Sequence, residues 1–495
     1  MKKINILLLA ALLLAGTGCK DYLEEEANGA LLGAGALKSV QGLEAALTGT
    51  YKGLQNTWGT GFVHATAIAA TMGGDDVTTH KASNKADFRE FDQFAVPATN
   101  QRTQALYSGC YKAIQGANNV IANYKNTVAI SDADKARVEA IAGEAYFLRA
   151  FSYFWLVRLY GSIPLITQAE FSDEMLTMTK SGPADVYKLI EADLLEAEKM
   201  MPNAKRNPGR PNKGTVKAYM AEVYLTQAGW PLKQTDKYAL AAAKAKEVID
   251  NRATYGFSLL PTYAEVFEND PGKNGTAEAV FQLSTFMGVG STTNANYGWS
   301  AMPGEESGWD DFFAEINFFN NFPAGPRKDV TFRTNFKKAD GSTVSWQQSQ
   351  TQHPYYQKFY IKGEVKNWAS SVPETLMRYA HVLTMYAEAK ARTPQGPDQL
   401  AYNALNMIRE RAGLAPIAFG SLSPQEFANA VVQERAWEFA AERTRWFDLV
   451  RLEMVEAANA NKHPNDLAVI GSISKEDYTF PLPFSETSVN PNLGK

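Results

Sequence analysis

Residues 144–165, EAYFLRAFSYFWLVRLYGSIPL, constrain the fold more than any other stretch of this chain. Ile141, Ala145, Leu148, Ser152, Trp155, Leu156 and Leu159 recur at spacings of three and four, the repeat of one helical face. Phe147, Phe151, Phe154 and Val157 cover much of the remaining circumference. A helix that is apolar on most sides must be packed on most sides, so this segment reads as the central helix of a bundle or superhelix. Gly161 suits a helix C-cap and Pro164 cannot continue a helix, which ends it near Tyr160. Arg149 falls inside this apolar surface, where an enclosed guanidinium needs a carboxylate partner.

The remaining periodicity predicts helices over about 39–59, 103–124, 132–160, 184–201, 214–229 and 238–251, then over 374–392, 400–412 and 424–452. Paired helices of similar length joined by Gly/Pro turns resemble tetratricopeptide-type repeats, although the strict 34-residue consensus is absent. Between 252 and 373 the texture changes to Gly, Asn, Ser and Thr with scattered aromatics and strand-like pieces at 279–284 and 356–361. The long irregular connection 60–99 is of the kind that usually carries function. The fold class expected is therefore mainly α: an α-superhelix of helix pairs supporting a loop-rich irregular lobe with short strands. Its parts are a helical scaffold over 38–251, the irregular lobe over 252–373, and a second helical scaffold with a tail over 374–495. At 495 residues and 45% hydrophobic content the chain is long enough for such a two-part core.

The first 18 residues have the pattern of an export signal: Lys2 and Lys3, an apolar run from Ile4 to Ala15, and small residues before Cys19. A run of about a dozen apolar residues is too short to span a bilayer, which takes about 20. The cysteine directly after the small residues resembles a bacterial lipoprotein signal, which makes Cys19 the lipidated first residue and 19–37 a stalk. The only other cysteine, Cys110, lies in a helical pattern and is expected to be a buried small apolar residue. Net charge is −4, and −6 without residues 1–18, with no basic stripe, so nucleic acid is not the expected partner.

Several segments together resemble the SusD/RagB family of outer-membrane nutrient-binding lipoproteins. They are Leu47-Thr-Gly-Thr-Tyr51, the Tyr107 to Asn119 segment, Gly143-Glu-Ala-Tyr-Phe-Leu-Arg149 with Tyr160-Gly161 and Pro164, and Gly209-Arg-Pro-Asn-Lys213. In the second half they are Arg378 to Ala389, Asn406 to Leu414, Glu434 to Phe439, Arg445 to Arg451 and Pro481-Leu-Pro483. The chain departs from the family pattern at Ala441-Glu442-Arg443-Thr444, where a Glu-Gly pair is usual, and at His381, where Asp is common. The resemblance implies four tetratricopeptide-like helix pairs. It also implies a lipid anchor on the outer face of the outer membrane, and capture of a glycan for a SusC-like TonB-dependent transporter. Some members of the family serve peptide importers, so peptide capture is the alternative.

The residues favour a binding protein over an enzyme. Asp75-Asp76 and Asp310-Asp311 are adjacent doublets, which make poor glycosidase dyads. His64, His80, His353, His381 and His463 lack metal-site spacing, and no GxSxG or P-loop occurs. No cofactor is expected. Residues 269–274 offer oxygen ligands for calcium but lack the EF-hand pattern and its final Glu. A sugar site pairs flat aromatic platforms with polar side chains that bond the hydroxyl rim. The candidates are Asp75, Asp76 and His80 on the first loop, and Asn296, Tyr297, Trp299, Trp309 and Asp310 on the second. Trp346, Gln347, Tyr355 and Trp368 follow. Burial in the lobe's own core competes with each Trp assignment. Tyr297 and Trp299 stand out because the GSTTNANYGWS stretch holds little apolar company. The expected ion pairs of Arg409, Arg411, Glu434, Arg435 and Glu438 belong to the scaffold, with Glu434 and Glu438 facing one partner.

Overall fold

The computed structural model describes residues 33–55, 61–62, 64–268, 275–284, 294–295, 297–361, 369–370 and 372–494. Ser39 opens helix α1 (Val40–Leu54) by accepting from the Gly42 N–H at 3.0 Å. Asn100 opens α2 (Gln101–Asn123), and a Ser131/Asp134 capping box opens α3 (Asp132–Tyr160). Pro183 starts α4 (Pro183–Met200), and an Asn212/Thr215 box starts α5 (Lys213–Gln227), which is followed by α6 (Lys237–Asp250). After the irregular region come α7 (Tyr379–Ala391), α8 (Gln399–Arg411), α9 (Pro424–Glu438) and α10 (Arg445–Arg451). The pairs α1/α2, α3/α4, α5/α6 and α7/α8 pack internally, and α2/α3, α4/α5 and α6/α7 join them into one continuous stack. The four expected helix pairs are present.

Helix α3 sits at the centre, as its circumference requires. From Ala140 to Tyr160 every residue except Tyr146 is buried. Phe147 and Phe151 both meet Tyr219 and Phe281 edge-on, with ring centroids 5.0–5.7 Å apart. Burial of each such ring contributes about 2–3 kcal/mol, so this cluster fixes the lobe strand that carries Phe281 against the scaffold. Arg149 finds its carboxylate: Asp193 accepts two hydrogen bonds at 2.8 and 2.7 Å, and Asn118 accepts a third at 2.8 Å. Gly161 closes the helix at φ +67°, a conformation costly for any residue with a Cβ. Cys110 is buried, and burial pushes its thiol well above the ordinary value, so it is inert.

The strands pair in two-stranded antiparallel sheets. β1 (Val77–Thr78) pairs with β4 (Phe313–Ala314), β2 (Ala279–Leu283) with β10 (Glu374–Arg378), and β3 (Asn294–Ala295) with β9 (Ala369–Ser370). β5 (Phe332–Arg333) pairs with β8 (Tyr355–Tyr356), and β6 (Asn335–Lys337) with β7 (Thr343–Ser345). Three expectations are corrected here. Residues 374–378 are strand, not the first turn of a helix, because pairing with β2 outweighs the weak local preference of Glu-Thr-Leu-Met-Arg. Strand β8 ends at Tyr356, and 357–359 form a 3₁₀ turn. The helix expected over 424–452 is broken at 439–444, where Ala441 and Arg443 take φ of +56° and +67°. This is where the family usually carries glycine. Here the strained conformation is held because the Ala441 N–H donates to Asp76 and Glu442 receives hydrogen bonds from Arg378 and Lys358.

Beneath the lobe lies an enclosed ionic cluster. Arg378 donates to Glu278 at 2.6 Å, to Glu438 at 3.0 Å and to Glu442 at 2.7 Å. Arg411 joins Glu278 and Glu438 at 2.5 and 2.6 Å, and Arg327 lies between Glu434 and Glu438 at 2.6 and 3.1 Å. Burial alone would raise the Glu442 carboxyl, but Arg378 and Lys358 hold it down at about 2. The charged motifs are therefore internal ion pairs of the scaffold, as their sequence pattern predicts.

Candidate functional site

The two candidate loops are brought together by structure that the sequence pattern does not reveal. Val77 pairs with Ala314 and Thr78 with Phe313, while the Thr79 hydroxyl donates to the Asp311 carbonyl at 2.6 Å. Lys85 pairs with Asp311. Asp75 and Asp76 anchor this junction. The Asp75 carboxylate receives two hydrogen bonds from Arg445 at 2.5 and 2.7 Å, and Asp76, 3% exposed, accepts the Ala441 N–H at 2.8 Å. Both carboxylates fix the loop to the turn before α10, and neither presents a free acceptor to solvent as the sequence reading expected.

Burial raises the Asp76 carboxyl to about 6, against the pull of the Ala441 N–H. A raised carboxyl pKa means that the folded state holds the proton more tightly than the unfolded chain does. The stabilisation is complete below about pH 4 and is lost as pH rises through about 6. Asp76→Asn keeps an acceptor for Ala441 and removes this titration. Urea denaturation at pH 5 and pH 8 should show the variant gaining roughly 1–2 kcal/mol on wild type over that interval. A difference that stays constant with pH would show that Asp76 does not titrate there.

The half-buried groups lie next along the loops. Trp309 donates its backbone N–H to the Trp299 carbonyl at 3.0 Å, which places the two indoles on neighbouring segments. The Trp299 indole N–H is buried with no hydrogen-bond partner among the described residues. Asp310 adopts φ +53° and receives hydrogen bonds on one oxygen from the Gly304 N–H at 2.7 Å and the Tyr355 hydroxyl at 2.6 Å. Its other oxygen has no hydrogen bond among the described residues. Burial raises the Asp310 carboxyl above the ordinary value, opposed by Tyr355, Gly304 and the nearby His80 imidazole. His80 accepts the Ala82 N–H on Nδ1 at 2.8 Å, so the neutral ring carries its proton on Nε2 and offers a donor. Trp346 packs beside the small cluster of Phe313, Phe336, Val344 and Tyr355 and lies edge-on to Phe319 at 5.8 Å.

Two candidates sit elsewhere than expected. Tyr297 is buried edge-on to Phe359, at 6.1 Å between centroids, and borders a cavity of about 60 Å³ over the ionic cluster, so it offers no platform. Tyr355 is fully buried and reaches the site only through its hydroxyl, which orients Asp310. Gln347 is exposed beside Trp346. Asn296, Trp368, Cys19 and the calcium candidate 269–274 lie outside the described residues. The sequence reading missed Tyr360, which is 38% exposed with the Arg333 guanidinium 5.0 Å from its ring centre. Gly298, at φ +83°, packs so closely on Ile361 and the Phe359 carbonyl that no Cβ would fit, and this holds residues 359–361 beside the Trp299 segment. Position in a short strand-like run gave no signal of that exposure. Among the described residues no trio of His, Cys, Asp or Glu is placed to hold a metal, and no helix is long and apolar enough to cross a membrane.

Comparison with known proteins gives concordant matches. A model described as the SusD family matches residues 199–495, and one described as starch-binding associating with outer membrane matches residues 21–225. The SusD-like protein P2 of Formosa agariphila is 29% identical over 527 aligned positions that take in all of this chain and 99% of the relative. The structure of a SusD homolog from Bacteroides thetaiotaomicron superposes with a TM-score of 0.79 at 22% identity, covering 92% of this chain and 96% of the other. That of a SusD-like carbohydrate binding protein from Bacteroides fragilis superposes with a TM-score of 0.77 at 19% identity, covering 92% and 99%. With the family model spanning more than half of its length, the chain belongs to the SusD family.

Proposed function

We propose that this protein captures a glycan on the outer face of the outer membrane, held there by lipid on Cys19, and delivers it to a SusC-like TonB-dependent transporter. The observation that carries the reading is the convergence of half-buried Trp299, Trp309 and Trp346 with His80 and Asp310 on the face where the two loops meet. The indoles supply flat apolar surface for the C–H face of a sugar ring, His80 a donor, and Asp310 an acceptor for the hydroxyl rim. The Bacteroides fragilis relative is described as binding carbohydrate, which supports the same ligand class. Tyr360 and Arg333 extend the face. Asp310 lies beside the His80 imidazole, with the Glu305 carboxylate near enough to raise it.

Affinity electrophoresis of the mature protein against a polysaccharide panel, run beside a pulldown from a peptide mixture, tests this reading. Retardation by at least one polysaccharide is expected. Asp310→Asn, which keeps acceptors for Gly304 and Tyr355, should weaken that binding about tenfold through loss of a charge-assisted hydrogen bond. Enrichment of peptides with no polysaccharide retarded would establish the peptide-capture alternative instead.

A further inference from the structure

A cavity of about 380 Å³ shares no residue with the loop face. Its walls are the C-terminal end of α3, the start of α4, the Trp230-Pro231 turn, α10 and the tail at 479–482. These are the segments that bear the family motifs, so the scaffold encloses a space that scaffolding does not account for. Its volume falls in the range of about 300–1,000 Å³ typical of small-molecule sites.

The lining includes Arg158, Lys180 and Arg451 and not a single Asp or Glu. Two of these cations are already satisfied. Arg158 pairs with Glu222 at 3.0 Å and is stacked between Phe154 and Phe447, and Arg451 pairs with Glu388 at 2.6 Å and with Asp448 at 2.8 Å. Lys180 is different: the residue is half-buried and has no hydrogen bond or ion pair among the described residues. Further polar groups on the same walls are also without partners. Tyr187 is only 3% exposed, and its hydroxyl makes no hydrogen bond among the described residues. The Ser162 hydroxyl and the Trp230 indole N–H likewise have none. These polar groups open onto the cavity, where a ligand can replace water as their partner. The half-buried Trp230 ring, held edge-on by Tyr478 at 5.0 Å, supplies a flat apolar wall.

We propose that this cavity is a second ligand site, for a carboxylate borne on a six-membered ring. The carboxylate pairs with Lys180, the ring lies along Trp230, and the Tyr187 hydroxyl meets a polar substituent. A uronic acid unit of an oligosaccharide and a free aromatic acid share this chemistry. The site is independent of the loop face and stands whether or not that face binds glycan.

Calorimetric titration of the mature protein with glucuronate and with 4-hydroxycinnamate, each beside its methyl ester, tests the site. At least one acid should bind saturably, and its neutral ester should bind about tenfold more weakly. Lys180→Gln should cause the same loss with an unchanged Tm, Lys180→Arg should retain binding, and Trp299→Ala should have no effect. Preference for glucuronate would identify a glycan end as the source, and preference for 4-hydroxycinnamate a free aromatic acid. Absence of binding by either acid in the millimolar range would overturn the proposal. So would esters that bind as tightly as the acids, or Lys180→Gln binding like wild type.

Discussion

Arg378→Ala is expected to lower the stability of the folded protein by about 3–5 kcal/mol. The guanidinium is 2% exposed and holds Glu278, Glu438 and Glu442 together. Removing one partner of a buried pair costs about 3–5 kcal/mol because the remaining charge is stranded in a dry interior, and here three carboxylates are affected. That is a large share of the 5–15 kcal/mol that stabilises a typical domain. The pH dependence supplies a sharper reading than Tm alone. In the native protein Glu442 sits at about 2, well below the unfolded value, so its contribution is present above about pH 4.5 and is lost as pH falls towards 2. In the variant the stranded carboxylates must rise instead, so the variant should regain stability relative to wild type as pH falls from 7 to 5. Urea midpoints of both proteins across that range would show it. A parallel pair of curves would mean that Arg378 contributes packing and not charge.

Trp299→Ala is expected to abolish measurable glycan binding while shifting Tm by no more than a few degrees. A central tryptophan in a recognition site commonly contributes 2 kcal/mol or more, which is about thirtyfold or more in affinity. The small stability effect follows from the position of the indole, half-buried at the rim with its N–H lacking an internal acceptor. Trp299→Phe keeps a flat ring and should recover part of the affinity. Unaltered affinity of the Ala variant would remove Trp299 from the site, and a large fall in Tm would assign it to the lobe's packing.

The scaffold was legible because its signals are local. The apolar circumference of 144–160, the Ser131 and Asn212 caps and the Pro183 start are all readable within a turn or two, and the helices begin and end close to where those signals put them. The break at 439–444 was not legible: Ala441 and Arg443 carry no mark of positive φ, and what holds them is Asp76, 365 residues away in sequence. The site shows the same division. Candidate residue types and two loops could be proposed from composition, but whether an aromatic faces inward depends on its neighbours in space. Tyr297 and Trp299 are two residues apart in the same Gly/Asn-rich run. One is buried against Phe359, and the other stands half-open.

The junction of the two loops has a kinetic consequence. The Arg445–Asp75 bridge spans 370 residues of sequence, and the β1–β4 ladder it supports is only two residues long on each strand. Contacts of such separation carry a loop-closure penalty that little local structure offsets, so they form late, after both arms of the helical stack have docked. The proposed ligand face therefore exists only on a chain that has finished folding, and a copy stalled before α10 would present scaffold without it.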